Sequence, residues 1–385
     1  MRLALLTPLP PAQSGIADYS AELAPALARL CDLTVYAPQP ANGLPWQPIA
    51  TFRGPAGAHG WDIALYQIGN NLDHEPVYRH ALQWPGVVVL HDPIIHHFVA
   101  AITERRGEGG SYLREMLYSH GAAGGQAARV ALRGQQGVDA ARWPLTGRLI
   151  DASLGVVVHS EAAAAIVRQV RPEAPVTVIP HLVAPPPRLS RARARQALGL
   201  PAEPLLIGVF GLVTPAKQLD AVVLALNDLA DQLPDWRLVV VGEDGGALAA
   251  ALEQATAVVR PRILMLGRLP WPDFRRALAA VDLVVALRWP TLGETSGVAL
   301  RALAAGTPLI ASATGAFREL PVDAVTLIPP NDPAALRAAL AALASDPTLR
   351  RQRGEAGRRW AAATLAPPVV ARQYLAALEA ALHSG

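Results

Sequence analysis

Pro180-His-Leu-Val-Ala-Pro-Pro-Pro187 interrupts a regular alternation of short apolar runs and helical patterns. Three consecutive prolines fit neither a helix interior nor a central strand, because proline lacks the N–H that both require. The stretch therefore marks a boundary between two units. Upstream, Leu3–Thr7, Leu33–Ala37, Ile63–Gln67, Gly86–His91, Leu154–His159 and Val176–Ile179 read as strands, with a helix over Asp18–Leu30. These runs are short and rich in β-branched residues, as strands covered on both faces are. Downstream the pattern restarts with strands Leu205–Gly211, Arg237–Val241, Ile263–Leu266, Asp282–Leu287 and Pro308–Ser312. Helices Leu219–Leu229, Pro272–Ala279, Gly297–Ala305 and Pro333–Ala344 separate or follow them, and Val369–Leu382 closes the chain. Such alternation predicts an α/β protein of two doubly wound, Rossmann-like domains facing a central cleft. The expected division is 1–183, 184–365 and a C-terminal helical segment 366–385.

Composition narrows the function. The chain has 385 residues, of which 51% are hydrophobic and 17% charged, which excludes intrinsic disorder. A formal charge of +3 is too small for a general nucleic-acid binder, and no run reaches the ~18 apolar residues of a membrane span. The densest basic run, Arg188, Arg191, Arg193 and Arg195, reads as a solvated linker face. Cys31 is the only cysteine, so no intrachain disulfide forms and a reducing, cytoplasmic setting is expected. A peripheral contact with a membrane surface is compatible with that setting; the oligomeric state is open.

Ligands of open α/β sheets sit beyond the carboxyl ends of the strands, so residues there carry the functional question. Gly15 precedes a helix and permits either an anion-binding turn or an ordinary connection, with Asp18 as a helix cap. His91 ends a strand and reads as functional; Asp92 reads as the cap of the next helix. His96 and His97 are adjacent on a helix and face different ways, and the chain contains no Asp-x-Asp, so no metal site is expected. Lys217 follows Gly211 at a strand-to-helix turn and suits a diphosphate as a point charge. The richest stretch is Leu287-Arg-Trp-Pro-Thr-Leu-Gly-Glu-Thr-Ser-Gly297. Thr295, Ser296 and Gly297 offer donors to an anion, or merely cap the helix; Glu294 suits sugar hydroxyls. Val241-Gly-Glu-Asp-Gly-Gly-Ala247 lacks the spacing of a dinucleotide fingerprint.

Taken together, Pro11–Tyr19, Gly211–Lys217, Glu294–Gly297 with Arg301-Ala-Leu-Ala-Ala-Gly-Thr-Pro308, and Gly315–Glu319 resemble the retaining glycosyltransferases of family 4, also called group 1, with the GT-B fold. The resemblance covers nearly the whole chain. Gln67–Asn71 and the Gly293–Gly297 loop are similar to an uncharacterised subgroup of that family. It implies a nucleoside diphosphate sugar as donor substrate, no cofactor, no metal, and a glycan, lipid-linked glycan or small molecule as acceptor. By the same resemblance His91 and Glu294 would meet the donor sugar. Gly15, Lys217, Thr295, Ser296 and Gly297 would hold the donor, and Arg268 and Leu269 would read its base. Asp18 and Asn70 would lie on the acceptor side. Two positions depart from the pattern: Leu212 stands where an arginine is usual, and Arg301 where a second glutamate is usual. Arg288 and Arg301 are the candidates to supply the missing charge. The rival expectations are a nucleotide-sugar-binding protein without transfer activity and an NAD-dependent enzyme, the latter weakened by the absent fingerprint.

Overall fold

The computed structural model describes residues 1–39, 45–54, 60–104, 109–135, 137–186 and 189–384. They form two compact units. The first comprises Met1–Leu182, Leu292–Thr295 and Pro367–Gly385; the second comprises Val183–Thr291 and Ser296–Ala366. The sequence pattern keeps Leu292–Thr295 with the second domain, whereas these residues group with the first.

The first unit holds seven parallel strands: β1 (Arg2–Leu6), β2 (Asp32–Ala37), β3 (Gln47–Pro48), β4 (Ile63–Ile68), β5 (Val87–Leu90), β6 (Gly155–Val158) and β7 (Val176–Val178). Their order is β3-β2-β1-β4-β5-β6-β7. The second unit holds β8 (Leu205–Phe210), β9 (Trp236–Val241), β10 (Ile263–Gly267), β11 (Leu283–Ala286), β12 (Leu309–Ser312) and β13 (Val325–Ile328), in the order β10-β9-β8-β11-β12-β13. In each sheet the chain starts in the middle, winds outward one way, then returns and winds the other way. The strand order therefore reverses between β1 and β4 and between β8 and β11, the doubly wound plan.

Both faces of both sheets are covered, which explains the uninterrupted apolar runs. Along β1, Leu3 and Leu5 enter one core and Ala4 and Leu6 the other, the period-two alternation of a strand. One face carries helix Gly15–Leu27 and helix Pro367–Ser384, tied by a 2.7 Å bond between the fully buried Tyr19 and Tyr374 hydroxyls. In the second unit Leu206 and Phe210 of β8 pack on helices Trp271–Ala280 and Gly297–Ala305, while Ile207 and Val209 pack on Leu219–Asp228 and Pro333–Ser345. Helix Gly297–Ala305 stops at Gly306, whose φ of 73° is the left-handed cap glycine accepts without strain. A Cβ at Gly354, on the neighbouring helix, would fall 2.1 Å from the Gly306 carbonyl oxygen, so that crossing requires glycine.

The first helix begins at Gly15, three residues earlier than the pattern predicts, because Ser14 caps it: the Ile16 N–H donates to Ser14 Oγ at 3.2 Å. Asp18 is therefore not the cap; it sits in the first turn.

The arginine run also needs correction. Arg191 and Arg193 are exposed and Arg188 lies outside the described residues, but Arg195 is only 5% exposed. Helix Arg191–Ala197 turns Ala194 and Arg195 inward. The Arg195 guanidinium donates to the carbonyls of Ala280 (3.0 Å) and Pro204 (3.1 Å) and, at 2.6 Å, to the carboxylate of the equally buried Asp282. Asp282 also accepts the Leu206 N–H at 2.7 Å and pairs with Arg191 at 2.9 Å. Removing one partner of such a pair leaves the other buried and uncompensated. Asp282→Ala is therefore expected to destabilise the second unit by about 3–5 kcal/mol. Urea unfolding would check this, and a loss below about 1 kcal/mol would place the pair among ordinary surface bridges.

Candidate functional site

Each sheet presents its strand-order reversal at the carboxyl ends of its strands; Gly15 and Asn70 follow the strands flanking the first reversal and Lys217 and Arg288 those flanking the second, whereas Arg268 and Leu269 follow the edge strand β10. In the first unit the loop after β1 runs from Thr7 to Ser14, and Asn70 follows β4. Gly15 is exposed, and a Cβ there would meet nothing within 4 Å, so this chain's own packing does not demand glycine. Asn70 is engaged twice: its N–H donates to Asp92 at 2.8 Å, and its Oδ1 accepts the Phe98 N–H at 2.9 Å. Asn70 Oδ1 thus serves an N–H in the first turn of helix His96–Glu104, while Asp92 Oδ2 is turned to the β4 loop. His96 is structural, with Nδ1 on the Trp143 carbonyl at 2.6 Å and Nε2 on the Tyr112 hydroxyl at 3.1 Å.

His91 proves to be one member of a buried cluster that sequence reasoning missed. His159 and His181 approach it with ring centroids 4.7 and 6.1 Å away, and Tyr19 lies edge-on at 4.8 Å. The bonding order fixes the protons. The Ile179 carbonyl only accepts, so His159 Nδ1 (2.9 Å away) carries a proton, and the neutral ring accepts at Nε2. His91 Nδ1, 3.1 Å from that atom, must then donate. His91 Nε2 is left as an acceptor 2.7 Å from the Gln67 side-chain amide, whose Nε2 has no partner when Oε1 faces the ring. A consistent chain needs the amide NH2 directed at His91. Burial holds these rings neutral: His159 and His74 are each pushed down to about 4, and His91 falls well below its usual value with its histidine neighbours adding to the effect. The signal available in the sequence was position, since His159 ends its apolar run just as His91 does.

The second unit holds the cationic candidates. Gly211 leaves β8 with φ of 85°, and a Cβ there would lie 2.5 Å from Lys217 Nζ. Lys217 folds back over this glycine and donates to the Phe210 carbonyl at 2.9 Å. The loop after β11 is bonded to its neighbours on both sides: the Arg288 N–H donates to Ser312 Oγ at 3.0 Å, and the Trp289 N–H to the Ala216 carbonyl at 2.8 Å. Ser296 caps helix Gly297–Ala305 through the Ala299 N–H. Arg301 reaches back to the Gly297 carbonyl (3.2 Å) and stacks 4.6 Å over the Trp271 ring. Arg268 forms an exposed pair with Glu243, and Leu269 is half-buried beside it. Leu212 is 50% exposed. Glu294 and Thr295 belong to the segment that groups with the first unit, where Glu294 Oε2 accepts the Leu292 N–H at 2.9 Å. Among the described residues no group of three or more His, Cys, Asp or Glu side chains is arranged to hold a metal ion.

Known proteins resemble this chain in sequence and in fold. Residues 190–360, nearly all of the second unit, match the family model of glycosyl transferases group 1. The chain is 37% identical over 141 residues to the lipopolysaccharide core biosynthesis mannosyltransferase LpsB of Rhizobium meliloti, covering 35% of this chain and 38% of that one. It is 34% identical over 207 residues to the mannosyltransferase LpcC of Rhizobium leguminosarum bv. viciae, with 50% and 56% covered. The matches thus span about half or less of the length of such curated relatives. A match at 27% identity covers 91% of both chains; that relative is the GDP-mannose-dependent alpha-(1-6)-phosphatidylinositol monomannoside mannosyltransferase of Mycolicibacterium smegmatis. Among solved structures, sucrose-phosphate synthase from Thermosynechococcus elongatus superposes with a TM-score of 0.70 at 18% identity over 100% of both chains. HepE of Anabaena, solved with UDP-glucose, gives 0.68 at 17% identity over 99% of this chain and 100% of its own. The fold is the two-unit GT-B plan.

The histidine chain makes stability pH-dependent. With His159 at about 4 in the native state against 6.5 when exposed, the native ring stays neutral in that interval while the unfolded ring takes up a proton. Acid therefore favours unfolding, and stability falls as pH drops from about 6.5 to 4, by up to roughly 3 kcal/mol for this ring. Urea midpoints across that range should slope less in His159→Gln than in the wild type; equal slopes would show that His159 does not drive the effect.

Proposed function

We propose that this protein transfers a sugar from a nucleoside diphosphate sugar to an acceptor glycan, lipid-linked glycan or small molecule, retaining the anomeric configuration. The observation that carries this reading is the convergence of Gly211, Lys217 and the first turn of helix Gly297–Ala305 at the β8/β11 reversal, inside the region matching group 1 glycosyl transferases. A helix N-terminus presents unpaired N–H groups and partial positive charge to an anion. Lys217 adds a full charge: an anion arriving over Gly211 competes with the Phe210 carbonyl for its ammonium group.

The chemistry follows from those parts. Cleaving the bond between sugar and diphosphate leaves negative charge on the phosphate, and donors already fixed in place stabilise it without reorganisation, often the largest catalytic contribution. Arg288 is the proposed replacement for the arginine absent at Leu212, because a guanidinium pairs with phosphate through two bonds. No carboxylate nucleophile is assigned; the acceptor attacks from the face the diphosphate leaves, and a departing phosphate oxygen takes its proton. Contact of His91 and Glu294 with sugar hydroxyls is proposed as well, a hydroxyl replacing Gln67 as the partner of His91 Nε2. Arg301 supports a second reading, donor binding without transfer, because it stands where a ribose-binding glutamate is usual; release or transfer of sugar by the purified protein separates the two.

Among the described residues no helix is long and apolar enough to cross a membrane. A cytoplasmic setting, with any membrane contact peripheral, remains part of the proposal.

Lys217→Ala should weaken binding of UDP or GDP, whichever the wild type prefers, by roughly 1.5–3 kcal/mol, the worth of a charge-assisted bond. Unchanged calorimetric affinity would remove Lys217 from the site. Because protein cations serve the diphosphate, turnover should survive EDTA; activity lost to EDTA and restored by Mg²⁺ or Mn²⁺ would overturn the metal-independent mechanism.

A further inference from the structure

The chain has eight tryptophans, and among them only Trp289 is exposed, at 43%. Trp236 is fully buried and the remaining six are at least half-covered. Indole is a large apolar surface with one polar atom, and folding normally removes it from water. Trp289 also enters none of the ring pairs or cation–π contacts found among the described residues.

Its exposure does not come from a loose loop. The Trp289 N–H is bonded to Ala216, in the segment after β8, and the preceding residue is bonded to Ser312 at the end of β12. The backbone is thus held from both sides at the carboxyl end of β11, beside the strand-order reversal of the second sheet, and the side chain it carries is exposed. Neighbouring strands lie ~4.8 Å apart, so Trp289 stands about one strand spacing from the Gly211–Lys217 turn. A sugar esterified to a phosphate held at that turn has its ring within that distance. Pyranose rings offer a face of C–H groups, and an indole face carries the negative potential that complements them.

Resting on the glycosyltransferase reading above, we propose that Trp289 is the platform on which the pyranose ring of the donor stacks, making it a determinant of donor-sugar specificity. The ring acts on the sugar moiety and not on the nucleoside diphosphate, which other groups hold.

That separation gives the test. The full chain is titrated calorimetrically with UDP, GDP and ADP and with their glucose and mannose esters. For the pair that the wild type binds, Trp289→Ala should weaken the sugar ester roughly five- to tenfold, the scale of an aromatic stack. The free nucleoside diphosphate should change less than about twofold, and Trp289→Phe, which keeps an aromatic face, should retain most of the ester affinity. Equal losses for ester and diphosphate, no loss for the ester, or Trp289→Phe as damaging as Trp289→Ala would each overturn the platform while leaving the glycosyltransferase reading standing. A wild type that binds none of these nucleotides would overturn that reading, and this inference with it.

Discussion

Chemistry in this chain is confined to strand ends because both parallel sheets are covered on both faces. A parallel strand buried on two sides offers no side chain to solvent; only the turns at its ends can. The doubly wound order then concentrates those turns further. Between β1 and β4, and between β8 and β11, consecutive connections leave in opposite directions, and the carboxyl-end loops part around an open place. Thr7–Ser14, Gly211–Lys217 and Leu287–Thr291 occupy these positions because of the winding, with glycine where the backbone bends and serine where a helix starts.

The two reversals are chemically unlike. Histidines and tyrosines crowd the first unit beside His91, and burial holds the rings neutral. The cluster supplies oriented hydrogen-bonding atoms but little charge. In the second unit the available groups are Lys217, Arg288, Arg301 and a helix N-terminus. Neutral, directional donors and acceptors suit hydroxyl groups, whereas fixed positive charge suits a diphosphate.

Much of this was legible in the sequence. The strands were, because burial on both faces forces β-branched runs of four to six residues, as in Val87–Leu90 or Leu205–Phe210. Helix Gly297–Ala305 was legible to the residue because Ser296 and Gly306 bracket it. The edge strands Gln47–Pro48 and Val325–Ile328 were not read; the first has no apolar run at all. Long amphipathic stretches such as Gly109–Leu132 gave no sharp boundary either, since their glycines blur the helical period. Side-chain commitments were the hardest to read. Nothing in the spacing distinguishes Arg195, which is buried on Asp282, from exposed Arg193 two residues earlier; only the facing of a two-turn helix decides it. Ser14 outcompetes Asp18 as a cap, and Asn70 reaches the first turn of a helix 26 residues further on, by geometry that a linear pattern does not contain.

Arg301 shows how a departure from a family pattern can be read physically. It lies on the second turn of helix Gly297–Ala305, and its guanidinium reaches back to the carbonyl of the first helical residue. A cation there sits near the positive end of the helix dipole, which disfavours it by a few tenths to 1 kcal/mol. Stacking on Trp271 and the bond to Gly297 hold it in place against that cost. An anion bound at the same helix end would reverse the sign, since the dipole and the guanidinium would then attract one charge together. Arg301 thus gives this end of the helix a fixed cation where a carboxylate would have offered only acceptors.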